Sequence, residues 1–202
     1  CIRDRLLRSA LRNGLFSPTI SYKEAIRLSD ILFITVGTPS LADGRIDLKY
    51  VSSAVESLGK CLAEVNEYKL IVVKSTVIPG TTLNLVGRIL EKTSGKTLGK
   101  HFGLCFNPEF LKEGTALRDL EKPDRIVIGT ESQKAKEIMQ EIYRVLYLNN
   151  VPFVFTNVET AEMIFYMLCR QIRLLIIAKD LGRRGLTSMP YWMQNKFLYT
   201  CI

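Results

Sequence analysis

The stretch KLIVVKSTVIPG, residues 69–80, decides the fold class of this chain. Its apolar run, residues 70–73, is aliphatic and mostly β-branched, which is typical of a strand that is covered on both faces. The run then gives way to Lys74, Ser75 and Thr76 and to a Pro-Gly turn. A strand that only had to stop could end on Gly or Asn, so a lysine and small hydroxyls at this point suggest a ligand.

Four further apolar runs are candidate strands, and helical patterns lie between them. The runs are DILFITV (30–36), FGLCFNPEF (102–110), RIVIGT (125–130) and PFVFTNV (152–158). Apolar residues at helical spacing predict helices over 3–12, 21–28, 47–62, 83–90 and 132–147, and from Glu159 onward. This alternation predicts an α/β fold with a largely parallel sheet flanked by helices. We expect strands near 31–36, 70–75, 103–107, 125–129 and 152–156.

The composition is that of an ordinary globular protein. The chain has 202 residues, of which 47% are hydrophobic and 24% are charged. Its net charge of +8 fits an anionic ligand such as a nucleotide, but equally a lysine-rich surface or weak contact with nucleic acid. Because the basic residues are scattered along the sequence, we expect no nucleic-acid partner.

The cysteines and the apolar runs bear on the cellular compartment. Five cysteines show neither a CxxC pair nor metal-ligand spacing, which favours reduced thiols in the cytoplasm and no metal. The late apolar run 174–178 is too short to cross a bilayer, so we expect no membrane association. The chain opens at Cys1, directly in helix-like residues, and we expect it to be a segment of a longer protein.

Polar residues follow three of the predicted strands. These ends carry Gly37-Thr38-Pro39-Ser40, Lys74-Ser75-Thr76 and Asn107-Pro108-Glu109. In a doubly wound sheet, ligands bind at the carboxyl ends of the strands, so we expect Thr38, Thr76 and Glu109 to converge on one crevice. Such residues are also ordinary in turns, but three aligned ends favour a ligand.

Two carboxylates and two weaker signals complete the candidate chemistry. Glu109 and Glu113 would share one face of a helical turn and could act as a general base and a cofactor contact, or lie on a solvated face. The segment EKTSGKT (91–97) is not a phosphate loop, because Leu90 stands where that motif needs glycine. His101 is the single histidine, and its sequence context indicates a structural or surface residue.

Three segments together resemble the nucleotide-sugar dehydrogenase family, typified by UDP-glucose 6-dehydrogenase and GDP-mannose dehydrogenase. They are DILFITVGTPSLADGRIDLKYV (30–51), KLIVVKSTVIPGTT (69–82) and NPEFLKEGTALRDLEKPDRIVIG (107–129), and the resemblance runs from about Leu6 to Met163. It implies a Rossmann-like fold and oxidation of a sugar C6 alcohol to a carboxylate with two NAD molecules. It also implies a nucleotide-sugar substrate, either UDP-glucose or GDP-mannose, and a homodimer for the full-length protein.

The resemblance further implies roles for individual residues. Glu109 would be the general base and acid in thioester hydrolysis, and Thr76 would help to hold the catalytic water. Glu113 would contact the nicotinamide side of NAD. The remaining NAD site would be lined by Val36, Gly37, Thr38, Pro39, Ser40, Ser75, Thr76 and Val77. The sugar nucleotide would touch Glu109, Phe110, Leu111 and Lys112.

The sequence also departs from the family pattern. The family opens with a strand and a GxGxxG turn, and its nucleophilic cysteine lies in GFGGSCF; neither motif occurs in these 202 residues. Where the family has a catalytic lysine and asparagine, this chain has Phe165 and Cys169, and Cys201 lacks the glycine context. We therefore expect residues 1–158 to be a partial NAD-binding domain without its first strands, and 159–202 to begin a connecting helix with a divergent tail.

Three functions remain open at this point. The leading one is a fragment of a nucleotide-sugar dehydrogenase that is inactive alone. The second is a non-catalytic remnant that binds a partner or supports assembly through the helix after Glu159. The third, another Rossmann-type hydroxyacid dehydrogenase, is disfavoured because nothing in its chemistry requires the segment NPEFLKEG.

Overall fold

A computed structural model describes residues 2–111, 114–147 and 151–168. Within these ranges five strands form one sheet, in which the spatial order follows the chain: β1 Ile31–Ile34, β2 Lys69–Val73, β3 Phe102–Phe106, β4 Ile126–Gly129 and β5 Phe153–Thr156. The helices are α1 Ile2–Arg12, α2 Tyr22–Leu28, α3 Lys49–Leu62, α4 Arg88–Ser94, α5 Ala116–Glu121, α6 Gln133–Tyr147 and α7, residues 158–168. A π-helical turn, Thr82–Gly87, leads directly into α4.

The strand predictions are confirmed, and so is the largely parallel sheet. Strands β1, β2 and β3 run parallel, and their last residues Ile34, Val73 and Phe106 lie in register. Strands β4 and β5 are also parallel to each other. All five residues of β2 are buried, which explains its unbroken apolar run.

One step of the sheet is antiparallel. Strand β4 meets β3 through a single pair, Phe106 with Gly129, and runs in the opposite direction. A parallel connection needs a crossover that returns along the sheet, usually a full helix, whereas the described part of 107–125 contains only the six-residue helix α5. Because both strands meet at their last residues, β4 borders the carboxyl end of β3.

The core has two layers, one on each face of the sheet. On one face, Ile71, Val73 and Phe106 pack with buried residues of α2, α3, α4 and α7. On the other face, Leu70, Val72 and Cys105 pack against Ala135 and Met139 of α6. The sheet is therefore covered by helices on both faces, as the α/β prediction requires.

Helix α7 approaches the end of β4 very closely. Its buried positions Val158, Ala161 and Phe165 follow helical spacing. A Cβ atom added at Gly129 would lie 2.5 Å from the Cβ of Ala161 and 3.0 Å from the carbonyl oxygen of Asn157. Glycine at 129 is thus required by packing, because no other residue leaves room for the helix.

We predict that Gly129→Ala destabilises the fold by roughly 1–3 kcal/mol, the usual cost of overpacking. The matched control is Gly37→Ala, because a Cβ at Gly37 meets nothing within 4 Å. Urea unfolding followed by circular dichroism measures both variants. Equal free energies of unfolding for the two variants would show that α7 does not pack on Gly129 in solution.

Candidate functional site

The ends of β1, β2 and β3 are joined by hydrogen bonds into one edge. The amides of Lys74 and Ser75 both donate to the carbonyl oxygen of Ile34, at 2.9 and 3.2 Å, and the amide of Asn107 donates to that of Val73 at 3.0 Å. The buried hydroxyl of Ser75 donates to the carbonyl oxygen of Val36 at 2.6 Å. The three predicted loops therefore start side by side at this edge.

The loop after β1 is open to solvent at the positions predicted for the cofactor. Gly37, Pro39 and Ser40 are exposed, whereas Val36 and Thr38 are half-buried. Beyond them the chain doubles back, with the amide of Asp47 donating to the carbonyl oxygen of Pro39 at 2.8 Å. Since a Cβ at Gly37 would meet nothing, the backbone there can be approached closely by a ligand.

The Pro-Gly pair after β2 forms a type II turn. Gly80 has φ +87°, and the amide of Thr81 donates to the carbonyl oxygen of Ile78 at 3.1 Å. Proline at the second position and a positive φ at the third define this turn, and only glycine adopts that φ readily. Thr76 is half-buried and Val77 is fully buried in the loop between strand and turn.

Asn107 holds the edge together through its side chain. Its Oδ1 accepts hydrogen bonds from Lys74 Nζ at 3.2 Å and from the hydroxyl of Tyr143 on α6. Its Nδ2 donates to the carbonyl oxygen of Val127 in β4 at 2.8 Å. This buried amide thus ties the ends of β2 and β3 to β4 and α6, and it fixes the position at which the segment Asn107-Pro108-Glu109 begins.

Lys74 and Glu109 are electrostatically coupled. Burial lowers the pKa of the Lys74 ammonium, and the carboxylate of Glu109 acts in the opposite direction. Both side chains line a cavity of about 330 Å³ between the strand ends, the segment that leads into β4, and α6. A carboxylate beside a cation at the mouth of a cavity can accept and return a proton.

The structure brings some predicted site residues together and leaves others apart. The cavity is lined by Glu109, Phe110 and Leu111 together with Lys74, Asn107, Arg125 and Tyr143. Thr38 and Thr76 lie in neighbouring loops and do not line it, so their convergence with Glu109 stays a prediction. Lys112, Glu113, Cys169 and Cys201 lie outside the described residues.

Phe165, at the position where the resemblance implies a catalytic lysine, is 5% exposed. The centroid of its ring lies 6.3 Å from that of Phe106 and 6.1 Å from that of Phe110. The guanidinium of Arg125 lies 5.4 Å from the centroid of the Phe110 ring. An aromatic cluster that includes Phe110, the residue after Glu109, therefore stands where the resemblance implies an ammonium.

Sequence reasoning missed Tyr143 and Glu162. Glu162 is fully buried in the apolar stripe of α7, and its carboxylate accepts hydrogen bonds from two backbone amides far away in the chain. A charged residue inside a helical apolar stripe, between Ala161 and Phe165, was a signal that could have found it. Tyr143 carried no such signal, because a tyrosine on an amphipathic helix is ordinary.

In the part of the chain that the structure describes, no group of three or more His, Cys, Asp or Glu side chains could hold a metal ion. No helix among the same residues has both the length and the apolar character to cross a bilayer.

We predict that Cys105 is inert in the folded protein. Burial raises the pKa of its thiol to about 12, so the nucleophilic thiolate is scarce at neutral pH and becomes available only on unfolding. Iodoacetamide at pH 8 followed by peptide mass spectrometry should modify half-buried Cys61 before Cys105. Equal rates for both cysteines under native conditions would contradict the burial of Cys105.

Comparison with known proteins gives the family. The model described as "UDP-glucose/GDP-mannose dehydrogenase family, NAD binding domain" matches residues 2–147. A GDP-mannose 6-dehydrogenase of Pseudomonas putida is 41% identical over 163 residues, which are 81% of this chain and 36% of the relative. The UDP-glucose 6-dehydrogenase AglM of Haloferax volcanii is 42% identical over 150 residues, which are 73% of this chain and 35% of the relative.

Solved structures agree with the sequence relatives. A ternary complex of GDP-mannose dehydrogenase from Pseudomonas aeruginosa has a TM-score of 0.77 and 33% identity, and the match covers 94% of this chain and 48% of that one. A UDP-glucose dehydrogenase from Pyrobaculum islandicum has a TM-score of 0.76 and 36% identity, with 87% and 40% covered. The chain spans little more than a third of the length of these curated relatives. It belongs to the UDP-glucose/GDP-mannose dehydrogenase family, and the matched region is the family's Rossmann-like NAD-binding domain.

Proposed function

We propose that this chain provides the NAD-binding part of a nucleotide-sugar dehydrogenase that oxidises the C6 hydroxyl of UDP-glucose or GDP-mannose to a carboxylate. The observation that carries the proposal is the position of Glu109, which lines a cavity with Lys74 at the carboxyl end of parallel strands. This is where α/β sheets bind ligands. Relatives named for each of the two substrates match the same region.

The loops after β1 and β2 are suited to the dinucleotide. When bound, NAD accepts the hydride that leaves the sugar carbon. Exposed Gly37, Pro39 and Ser40 leave the backbone accessible, and Val36, Thr38, Ser75, Thr76 and Val77 complete the proposed contacts. Glu113 is proposed to contact the nicotinamide side.

Glu109 is the proposed general base and acid. Its carboxylate takes a proton from the water that hydrolyses a thioester and can return it, while Thr76 holds that water in place. The Lys74 ammonium offsets the negative charge on the carboxylate side of the cavity. The backbone of Phe110, Leu111 and Lys112 is proposed to contact the sugar nucleotide.

The surroundings of Phe165 favour a second candidate function, a non-catalytic partner in binding or assembly. A buried phenyl ring beside Phe110 cannot stabilise developing negative charge as an ammonium does. In this second function the fold would be retained while the chemistry is lost, and α7 would begin the segment that contacts the partner.

The remaining assignments are also proposals. We propose that residues 1–158 form a partial NAD-binding domain, and that 159–202 begin a connecting helix with a divergent tail. We further propose a cytoplasmic location and a homodimer for the full-length protein. The absence of disulfide-type cysteine spacing supports the location.

A segment exchange tests the catalytic assignment. Residues 6–163 of this chain are inserted in place of the matching region of the P. putida GDP-mannose 6-dehydrogenase, which then retains its own residue at the lysine position. We expect NADH production from GDP-mannose, and Glu109→Gln should reduce kcat by roughly 10²- to 10⁴-fold, the usual contribution of a general base. Exposed Glu159 provides the matched control, Glu159→Gln.

Two outcomes of this exchange would contradict the proposal. A folded chimera that gives no NADH would overturn the dehydrogenase function of the segment. An active chimera with unchanged kcat after Glu109→Gln would overturn the role of Glu109. Extending the inserted segment to include Phe165 should abolish turnover, and retained turnover would remove the argument for the second function.

The 202-residue chain itself should produce no NADH from UDP-glucose or GDP-mannose. Its sequence contains neither the glycine turn that seats the pyrophosphate nor the nucleophilic cysteine segment, and Phe165 replaces the lysine. Loss of one electrostatic donor typically slows turnover by roughly 10²- to 10³-fold, and several elements are absent here. Sustained NADH absorbance above a heat-denatured control would refute this prediction.

A further inference from the structure

We propose that Glu162 is a positioning residue, which caps a helix in another part of the chain and thereby fixes the loop that carries Lys74, Ser75 and Thr76. Its Oε2 accepts a hydrogen bond from the amide of Gly80 at 2.6 Å, and its Oε1 accepts one from the amide of Thr82 at 2.7 Å. These residues are 82 and 80 positions away from Glu162. The carboxylate thus bridges α7 and the turn after β2.

The amide of Thr82 is one of the donors that a helix leaves unsatisfied at its start, and the amide of Gly80 lies in the turn that leads into that helix. The π-helical turn begins at Thr82 and continues into α4, and the first N–H groups of a helix have no partner within it. The side chain of Thr81, the residue before the π-helical turn, makes no capping hydrogen bond to these amides. A carboxylate is favoured at this end of a helix by the helix dipole.

The turn presents these donors to α7. In a type II turn at Pro79-Gly80, the amide of Gly80 is not used by the turn's own hydrogen bond, which runs from Thr81 to Ile78. Glu162 accepts that amide with one oxygen and the amide of Thr82 with the other. The position of the loop end is therefore set by two charge-assisted hydrogen bonds.

Burial makes the interaction specific. Glu162 is 0% exposed and lies between the apolar residues Ala161 and Phe165 of α7. Burial raises the pKa of its carboxyl, and the hydrogen bonds from Thr82 and Gly80 act in the opposite direction. Thr82 is also fully buried, so loss of the carboxylate would leave its amide without an acceptor.

The consequence concerns the candidate site. Residues 74–82 are held at one end by the amides of Lys74 and Ser75, which donate to Ile34 of β1, and at the other by Glu162, so Thr76 lies in a segment that is fixed at both ends. The importance of this for catalysis rests on the proposed function, whereas the loop geometry does not. The start of the π-helical turn is also occupied by the protein's own carboxylate, which excludes an external anion from it.

Nuclear magnetic resonance of the 202-residue chain tests the proposal without any nucleotide. In the wild type, scalar couplings across hydrogen bonds should join the amide nitrogens of Gly80 and Thr82 to the carboxyl carbon of Glu162. Glu162→Gln should move both amide resonances upfield and raise their hydrogen-exchange rates by roughly 10- to 100-fold, because hydrogen bonds to a charged group are lost. The exchange rates of the β3 amides should change only as far as the global free energy of unfolding changes.

Two controls separate positioning from general destabilisation. Val158→Ala removes buried apolar contact on the same face of α7 and should lower the free energy of unfolding while leaving the Gly80 and Thr82 resonances in place. Glu159→Gln makes the same charge change at an exposed position of α7 and should leave the Gly80 and Thr82 resonances in place.

Several outcomes overturn the proposal. Missing couplings in the wild type would do so even if Glu162→Gln fails to fold. Equal shifts of the two amides in Glu162→Gln and Val158→Ala would show a merely structural role. A folded but inactive chimera in the segment exchange would count against the proposed function alone, since none of these measurements uses NAD or the chimera.

Discussion

The register of the three parallel strands is the constraint on which the rest of the site depends. Strand β2 is buried along its whole length and is paired on both edges, so none of its own side chains can meet a ligand. Because Ile34, Val73 and Phe106 end their strands at one level, the residues that follow must leave the sheet together. Polar chemistry is thereby confined to one edge, and the candidate site lies there.

The sequence allowed the strands to be predicted because their signals are local. An apolar, β-branched run such as 70–73 indicates a doubly covered strand wherever its partners lie. The antiparallel step between β3 and β4 carried no such local signal. It follows from the connection 107–125, whose one short helix does not return along the sheet, and that depends on tertiary packing.

The residues of the candidate site also fall into two groups, those with a local sequence signal and those without one. Glu109 and the hydroxyls beside it were found from their positions at strand ends, whereas the partners that hold them were not. Tyr143 reaches Asn107 across 36 residues, and Glu162 reaches Thr82 across 80. Pairings of that separation leave no periodic pattern, so a single sequence shows at most an odd feature, such as a glutamate within an apolar stripe.

Several polar groups in the loop after β2 are hydrogen-bonded within the fold and are therefore not available to a ligand. The Lys74 ammonium is bound to Asn107, the hydroxyl of Ser75 to backbone carbonyls, and the hydroxyl of Thr81 to the carbonyl oxygen of Ile78 at 2.6 Å. The amides at the end of the loop are bound to Glu162. Within residues 74–82, the hydroxyls of half-buried Thr76 and fully buried Thr82 have no hydrogen bond to another described residue. Because Thr82 is fully buried and Thr76 is not, the Thr76 hydroxyl is the better placed of the two to meet water or a ligand. The stretch 69–80 thus offers this hydroxyl beside the side chains of Lys74 and Ser75, which are already bonded within the fold.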